Sequence, residues 1–212
     1  MYVETLTPAA HELLKTLGRL EFPATFYLAG GTAVALHLGH RISVDLDFFT
    51  HGESYDAVAL LNTLRSVGTL NVRQQSAGTL IGTLCRVQVS FFIYPYPLLE
   101  PGDVLEGIRV AGLRDIALMK LIAISQRGTR RDFIDLFFIC NTGLTLDELL
   151  REIPKKFAPV DYPSYQLLRS LVYFADAEND APLRGTVSWD WGDVRRFFED
   201  NVRRLMAQFH NP

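Results

Sequence analysis

The chain has 212 residues, enough for one large domain or for two small domains that share an interface. Hydrophobic residues make up 48% and charged residues 21%, a composition that favours a water-soluble protein with a sizeable core. The net charge of −3 excludes a strongly basic protein that binds nucleic acid through overall charge, although it leaves room for a local basic patch.

The first half of the chain predicts helices and strands in alternation. Thr7 and Pro8 are typical of a helix start, because threonine caps the first turn and proline suits its first position. Hydrophobic spacing and glycine breaks then delimit the elements. The predicted helices are 8–17, 32–38 and 54–67, and the predicted strands are 25–29, 44–49, 69–75, 79–84, 86–94 and 108–111.

The pattern becomes helical near residue 112. Thr145 and Glu148 fit a capping box, which marks one helix start. The predicted helices are 113–126, 131–141, 146–156, 163–174 and 189–208. We therefore expect an α/β domain over residues 1–112 and a helical domain over residues 113–212, which together give an α/β (α+β) fold class.

Gly30 and Gly31 stand between a predicted strand and a predicted helix. Glycine lets a ligand approach the backbone closely, and a helix start offers free N–H groups and a positive dipole end. The arrangement is suited to binding phosphate. A Gly-Gly pair is also a common simple turn, and that interpretation stays open.

Asp45 and Asp47 follow on the next predicted strand, where residues two apart lie on the same face. Two neighbouring carboxylates repel each other, and a hard divalent cation such as Mg²⁺ removes that cost. A phosphate-binding turn beside a carboxylate pair suggests metal-assisted nucleotide chemistry. The alternative is an ordinary solvated strand face.

Taken together, these motifs resemble the DNA polymerase β-like nucleotidyltransferase superfamily and, more narrowly, the AbiEii/AbiGii-type toxin family. The resemblance depends on the Gly30-Gly31-Thr32 turn, on Asp45-Leu46-Asp47 and on a later helical segment. It spans residues from about 20 to 200. The segments that carry it are Gly30-Gly31-Thr32-Ala33, Gly39-His40-Arg41, Ser43 to Phe48, Lys120 to Ile124, Arg127, and Arg131 to Leu136.

The resemblance implies a nucleotidyltransferase fold with a small twisted mixed sheet and a helical half that packs across the active-site cleft. It implies that Asp45 and Asp47 bind Mg²⁺ and that Lys120 approaches the phosphates. Asp135, or its neighbour Asp132, would complete a second cluster. The positions implied in nucleotide binding are Gly30, Gly31, Thr32, Arg41, Ser43, Arg131 and Asp132, with Arg41 and Ser43 either flanking the phosphates or bracing the aspartates.

Lys120 is also notable on physical grounds, because it interrupts an apolar helical stretch over residues 116–124. Its ammonium must reach solvent or meet an anion. Asp132 and Asp135 lie one helical turn apart and share a face. A structural ion pair that joins two helices is the alternative to a site role. The nearby arginines could contact phosphate or RNA, or simply form a solvated helix end.

One feature departs from the superfamily pattern. A third carboxylate is expected on the strand over residues 86–94, which contains no Asp or Glu. Gln88 and Ser90 occupy the expected face, and neither side chain is a general base or a strong Mg²⁺ ligand.

The sequence thus predicts Mg²⁺-dependent transfer of a nucleotide from a nucleoside triphosphate (NTP) to an acceptor. The resemblance suggests tRNA or another RNA as acceptor, a cognate antitoxin as partner, and a role in a toxin–antitoxin or phage-defence system. Two alternatives remain, an impaired nucleotide-binding module and a small-molecule nucleotidyltransferase. With two unpaired cysteines, no signal peptide and no long apolar run, we expect a cytoplasmic protein without membrane contact.

Overall fold

A computed structural model describes residues 1–20, 25–158, 160–181 and 183–210 of the chain. It divides into two compact units, Met1–Gly112 and Leu113–Pro212. The first unit combines a sheet with helices, and the second is helical.

Unit 1 is built on a mixed sheet, in which the described residues form seven strands in the order β3-β4-β5-β2-β1-β7-β6. The central strand β2 runs antiparallel to β1 and parallel to β5, and β1 runs parallel to β7. The other neighbours pair antiparallel. The strands are β1 (Phe26–Ala29), β2 (Leu46–Thr50), β3 (Leu70–Ser76), β4 (Thr79–Leu84), β5 (Val87–Ile93), β6 (Asp103–Leu105) and β7 (Ile108–Val110).

Helices α1 (Pro8–Arg19), α2 (Gly30–Leu38) and α3 (Ala57–Val67) complete unit 1. The Thr7 hydroxyl accepts a hydrogen bond from Ala10 N at the start of α1, which is the cap that the sequence predicts. The Asp56 carboxylate accepts from two backbone N–H groups at the start of α3.

The core of unit 1 lies on one face of the sheet. Leu28, Phe48 and Phe91 come from three neighbouring strands, and all are fully buried. Phe48 and Phe91 stack with ring centroids 5.1 Å apart. Along β2, buried and half-buried residues alternate, so Asp47 lies on the opposite face from this core.

Several element boundaries differ from the prediction, and two of these differences concern the glycine pair and the aspartates. The helix α2 begins at Gly30 instead of residue 32, so the glycine pair belongs to its first turn. The strand β2 begins at Leu46, so Asp45 directly precedes the strand instead of lying within it. The single predicted helix 163–174 is instead two helices, Ser164–Ser170 and Ala175–Glu178. No sequence pattern predicts β6, because its three residues are too few for a visible period.

Unit 2 consists of helices α4 to α9. The capping box predicted at Thr145 is present, with the Thr145 hydroxyl accepting from Glu148 N and the Glu148 carboxylate accepting from Thr145 N. The rings of Phe133 and Phe198, both fully buried, pack edge to face at 5.3 Å. The helices are α4 (Leu113–Gln126), α5 (Arg130–Cys140), α6 (Leu146–Lys156), α7 (Ser164–Ser170), α8 (Ala175–Glu178) and α9 (Trp191–His210).

Unit 2 also contains a fully buried ion pair that the sequence analysis did not identify. Lys156 Nζ lies 2.6 Å from Asp115 Oδ1, and neither side chain is exposed. The pair joins α6 to α4. Removing one member of such a pair leaves an uncompensated buried charge, which is costly.

The predicted fold class is confirmed by this mixed α/β architecture. None of the helices in the described part of the chain combines the length and the apolarity that a membrane span requires.

Candidate active site

The candidate site of unit 1 begins where β1 ends and α2 starts. Gly30 has a φ of +65°, a conformation that glycine adopts without strain. A methyl group added at Gly30 would lie 3.1 Å from Asp47 Oδ2. The Asp47 carboxylate therefore lies directly against the glycine turn, and the paired register of Ala29 with Asp47 explains the contact.

Asp45 is held in place through its backbone. The Thr32 hydroxyl donates to the backbone oxygen of Asp45 and also shares a hydrogen bond of 2.7 Å with the Ser43 hydroxyl. Thr32 and Ser43 are both buried, whereas the Asp45 side chain is half-buried. Of the two roles considered for Ser43, bracing the aspartates matches this geometry. Thr32 also braces the aspartate segment, because its buried hydroxyl contacts Ser43 and the Asp45 backbone and is not exposed at the glycine turn.

Arg41 is 4% exposed, and its guanidinium donates to Ile42 O at 3.2 Å. His40 beside it is also buried. Ser43 N donates to Thr5 O at 2.9 Å, which anchors the segment before Asp45 in unit 1 and restricts the backbone position of Asp45. Asp45 and Asp47 are called the carboxylate pair.

The position of the missing third carboxylate can be read from the pairing of β2 with β5. Asp47 pairs with Ser90, which is 3% exposed, and Leu46 pairs with Val89. Gln88 and Asp45 directly precede the paired residues Val89 and Leu46. The strand that should supply the carboxylate thus supplies a hydroxyl and an amide.

The carboxylate pair fits a magnesium ion better than a metal that prefers nitrogen or sulfur. Mg²⁺ takes oxygen ligands, and it is usually held by one or two carboxylates together with water and substrate phosphates. Among the described residues, no group of three or more His, Cys, Asp or Glu side chains could hold a metal. A metal here would therefore depend on oxygens from substrate and water.

The second predicted group lies in unit 2 and forms the lysine cluster, defined as Lys120, Asp132 and Asp135. Lys120 Nζ lies 2.8 Å from Asp132 Oδ1 and 2.7 Å from Asp135 Oδ2. All three side chains are less than 10% exposed. The cluster joins α4 to α5, as the ion-pair interpretation predicts, and the Lys120 ammonium is held by both carboxylates.

Two further residues contact Asp132. The Thr129 hydroxyl donates to Asp132 Oδ2 at 2.7 Å, and Arg127 Nε lies 3.3 Å from the same oxygen. Burial by itself raises the pKa of Asp132, but the charges of Lys120 and Arg127 and the hydrogen bonds from Lys120 and Thr129 outweigh it and lower the pKa. Asp132 is thus held as a carboxylate.

Thr129 is not among the predicted site residues. It stands at the N-cap position of α5, where threonine is common, but its hydroxyl donates to Asp132 and does not cap the helix. Arg131, predicted to contact the nucleotide, is exposed at the start of α5. The neighbouring Arg130 makes its contacts within unit 2. It donates to Ala177 O and to Glu178 O, and its guanidinium lies over the Trp191 ring.

Comparison with known proteins identifies relatives over most of the chain. The model of the family described as "Nucleotidyl transferase AbiEii toxin, Type IV TA system" matches residues 12–190. A protein of Aquifex aeolicus (strain VF5), described as "Uncharacterized protein aq_aa25", is 38% identical over 199 residues, which cover 92% of this chain and 95% of the relative.

Solved structures with a similar fold include JHP933 from Helicobacter pylori and MenT4, a nucleotidyltransferase toxin from Mycobacterium tuberculosis H37Rv. JHP933 aligns with a TM-score of 0.54 and 20% identity, covering 95% of this chain and 92% of its own. MenT4 aligns with a TM-score of 0.52 and 15% identity, covering 92% of this chain and 84% of its own. At these identities the similarity concerns the fold.

Proposed function

The chain belongs to the AbiEii family of nucleotidyltransferase toxins and is therefore a nucleotidyltransferase, and we propose that it moves a nucleotide from an NTP to an RNA acceptor with Mg²⁺ at Asp45 and Asp47. The observation that carries the proposal is the position of the Asp47 carboxylate against Gly30 at the start of α2. Triphosphate and metal would then occupy adjacent positions.

In this proposal the N–H groups of the first turn of α2 bind the triphosphate, with the positive end of the helix dipole directed at its charge. Gly30 has no side chain to obstruct that approach. Mg²⁺, when bound, would neutralise charge on the phosphates as pyrophosphate leaves and would favour loss of the acceptor's hydroxyl proton. Thr32 and Ser43 hold the Asp45 segment and thereby orient its carboxylate.

The lysine cluster is the second part of the proposed machinery. Lys120, Asp132 and Asp135 carry one positive and two negative charges, and Arg127 adds a second positive charge at its edge. We assign Lys120 and Asp135 a role in catalysis and Arg131 a role in binding phosphate, on the basis of the motif order that the chain shares with its family.

The proposed acceptor is tRNA or another RNA, as the family resemblance implies. An antitoxin is the proposed partner, because the family description names a toxin–antitoxin system. The proposal also includes a role in phage defence and a cytoplasmic location, where NTPs and RNA are both present. A small-molecule acceptor is the competing proposal, since the net charge of −3 gives no general attraction for RNA.

The test is transfer of label from radioactive NTPs to total RNA in the presence of Mg²⁺. We expect the wild type to label RNA and Asp45→Asn and Asp47→Asn to abolish labelling. Asp56→Asn is the matched control, because it removes the same charge in unit 1 while asparagine still caps α3. Labelling that survives in Asp47→Asn would refute the proposed metal site.

A second outcome separates the competing proposals. Binding of NTP without transfer to any RNA would reject the RNA acceptor and support either a small-molecule acceptor or an impaired binding module. Ser90 beside Asp47 is the observation that favours the module, because no carboxylate of β5 stands there to take a proton.

A further inference from the structure

Aromatic side chains lie on the same face of the sheet as Asp47, two residues further along the strands. Phe49 follows Asp47 by two residues on β2, and Phe92 follows Ser90 by two residues on β5, so both lie on the Asp47 face. Phe49 pairs with Tyr27 on one side and with Phe92 on the other. We call Tyr27, Phe49, Phe92 and Tyr94 the aromatic row.

The rings of the aromatic row contact one another. Tyr27 and Phe49 stack with centroids 6.1 Å apart, and Phe49 and Phe92 lie 5.3 Å apart. Tyr94 packs its edge against Phe49 at 5.7 Å. Tyr27 is buried, whereas Phe49, Phe92 and Tyr94 are only half-buried and keep part of their surface exposed.

The core of unit 1 occupies the opposite face of these strands through Phe48 and Phe91; within the row Tyr27 is also fully buried, whereas the other three members are not. Two residues along a strand cover about 7 Å, which places the row one side-chain step from the carboxylate pair. Arg109 is exposed and lies on the same face, because it pairs with Tyr27. Aromatic rings with a cation beside them are the usual surface for stacking bases and contacting phosphate.

We propose that the aromatic row is a stacking platform for a nucleobase whose phosphate lies at the carboxylate pair. This inference rests on the proposed function, which supplies the nucleotide. The base belongs either to the incoming NTP or to the acceptor RNA. These two sources share the same chemistry, and binding measurements separate them.

The first experiment changes the ligand and leaves the full-length wild-type protein intact. Four probes are each bound alone in the presence of Mg²⁺, so that donor and acceptor are never mixed: ATP, ribose 5-triphosphate, a single-stranded RNA octamer, and an abasic octamer of equal charge. Stacking of one base predicts that a base-bearing probe binds about five- to a hundredfold more tightly than its base-free equivalent. If ATP binds more tightly than ribose 5-triphosphate, the base on the aromatic row belongs to the incoming NTP. If the RNA octamer binds more tightly than the abasic octamer, the base belongs to the acceptor RNA. Equal affinity within both pairs would overturn the proposal.

The second experiment assigns that preference to the row. Phe92→Leu and Tyr94→Leu keep an apolar side chain and lose the ring, so we expect each to reduce the preference at least about threefold. Tyr94→Phe keeps the ring and should bind like the wild type, which makes it the matched variant. Tyr165→Leu removes a tyrosine that is 54% exposed in unit 2 and should change nothing. A preference unchanged in both leucine variants, or lost in Tyr94→Phe, contradicts stacking.

Binding and transfer are read separately. Asp47→Asn protein should lose transfer and keep the preference for base-bearing probes. A wild type that transfers no nucleotide while the leucine variants still lose the preference would refute the proposed function alone. A wild type that transfers nucleotide with unchanged binding by the leucine variants would refute the stacking platform alone.

Discussion

Gly30 combines a left-handed backbone with a close contact to a carboxylate. Each property would disfavour a side chain, but for a different reason. The positive φ makes any L side chain strained by about 1–2 kcal/mol. The contact with Asp47 Oδ2 means that a methyl group would press on a proposed metal ligand. These two effects can be measured independently.

We predict that Gly30→Ala lowers the free energy of unfolding by about 1–2 kcal/mol and lowers kcat roughly a hundredfold, because displacement of Asp47 misaligns the reacting groups. Gly143→Ala is the control, since Gly143 also has a positive φ but nothing lies within 4 Å of an added methyl group. It should lose stability and keep kcat. Urea unfolding and labelling of RNA measure the two quantities, and equal kcat losses in both variants would contradict the prediction.

Thr32 provides a second test at the residue scale, because its hydroxyl is the link between Asp45 O and Ser43. Thr32→Val should cost about 1–2 kcal/mol of stability, since both partners lose a buried hydrogen bond. It should also lower kcat more than it changes KM, as expected of a positioning residue. Thr32→Ser restores the hydroxyl and should restore kcat. Failure of serine to rescue would indicate that the threonine methyl group, and not the hydrogen bonds, is required.

Two buried lysines, Lys120 and Lys156, join helices α4, α5 and α6. The Lys156–Asp115 pair therefore serves as a reference against which the lysine cluster can be tested. Lys120 pairs with carboxylates of α5 and Lys156 with a carboxylate of α4. Loss of either ammonium leaves buried carboxylates uncompensated and should cost about 3–5 kcal/mol. Stability alone therefore does not distinguish a structural lysine from a catalytic one.

We predict that Lys120→Met and Lys156→Met are both destabilised, whereas only Lys120→Met loses transfer when both are assayed at a temperature where they are folded. Thermal unfolding and circular dichroism establish that temperature, and labelling of RNA gives the activity. If Lys120→Met retained the activity of Lys156→Met, the lysine cluster would be a structural ion-pair network and Lys120 would leave the proposed machinery.

The lowered pKa of Asp132 predicts how stability depends on pH. Its folded-state pKa lies below the unfolded value of about 3.9, so its ionised form stabilises the protein above that pH. The stabilisation is lost as pH falls through the folded-state pKa. The difference in unfolding free energy between wild type and Asp132→Asn should thus be constant from pH 7 to about 5 and shrink below about 4. Urea titrations at several pH values measure it, and a difference that stays constant to pH 3 would exclude Asp132 as the titrating group.

At the scale of the whole molecule, local sequence patterns predicted most elements, whereas contacts between distant segments were not predictable. Leu46 and Phe48, which alternate with Asp47 along β2, are both fully buried, as the two-residue period of a strand predicts. No local pattern indicates that β1 lies between β2 and β7, because strand order depends on pairing across long separations. The position of Ser90 beside Asp47 depends on that pairing.

The same limit applies to the candidate site. Glycines and aspartates in a short motif were recognisable because their spacing alone suggests phosphate and metal binding. The aromatic row was not recognised, because Phe49 and Phe92 are 43 positions apart in the sequence and become neighbours only through the parallel pairing of β2 with β5. Asp115 and Lys156 were missed for the same reason, since neither stands out without knowledge of its partner.

The division of the chain at Gly112 leads to the last prediction. Leu28 is fully buried in unit 1 and Phe133 in unit 2, so each unit has its own core. Leu28→Ala should cost about 2–5 kcal/mol, as the loss of a buried leucine side chain usually does. If the units unfold separately, hydrogen exchange should accelerate for buried amides of residues 1–112 and stay unchanged for residues 113–212. Phe133→Ala should give the reverse pattern. Equal acceleration throughout the chain in both variants would show that the protein unfolds as one cooperative domain.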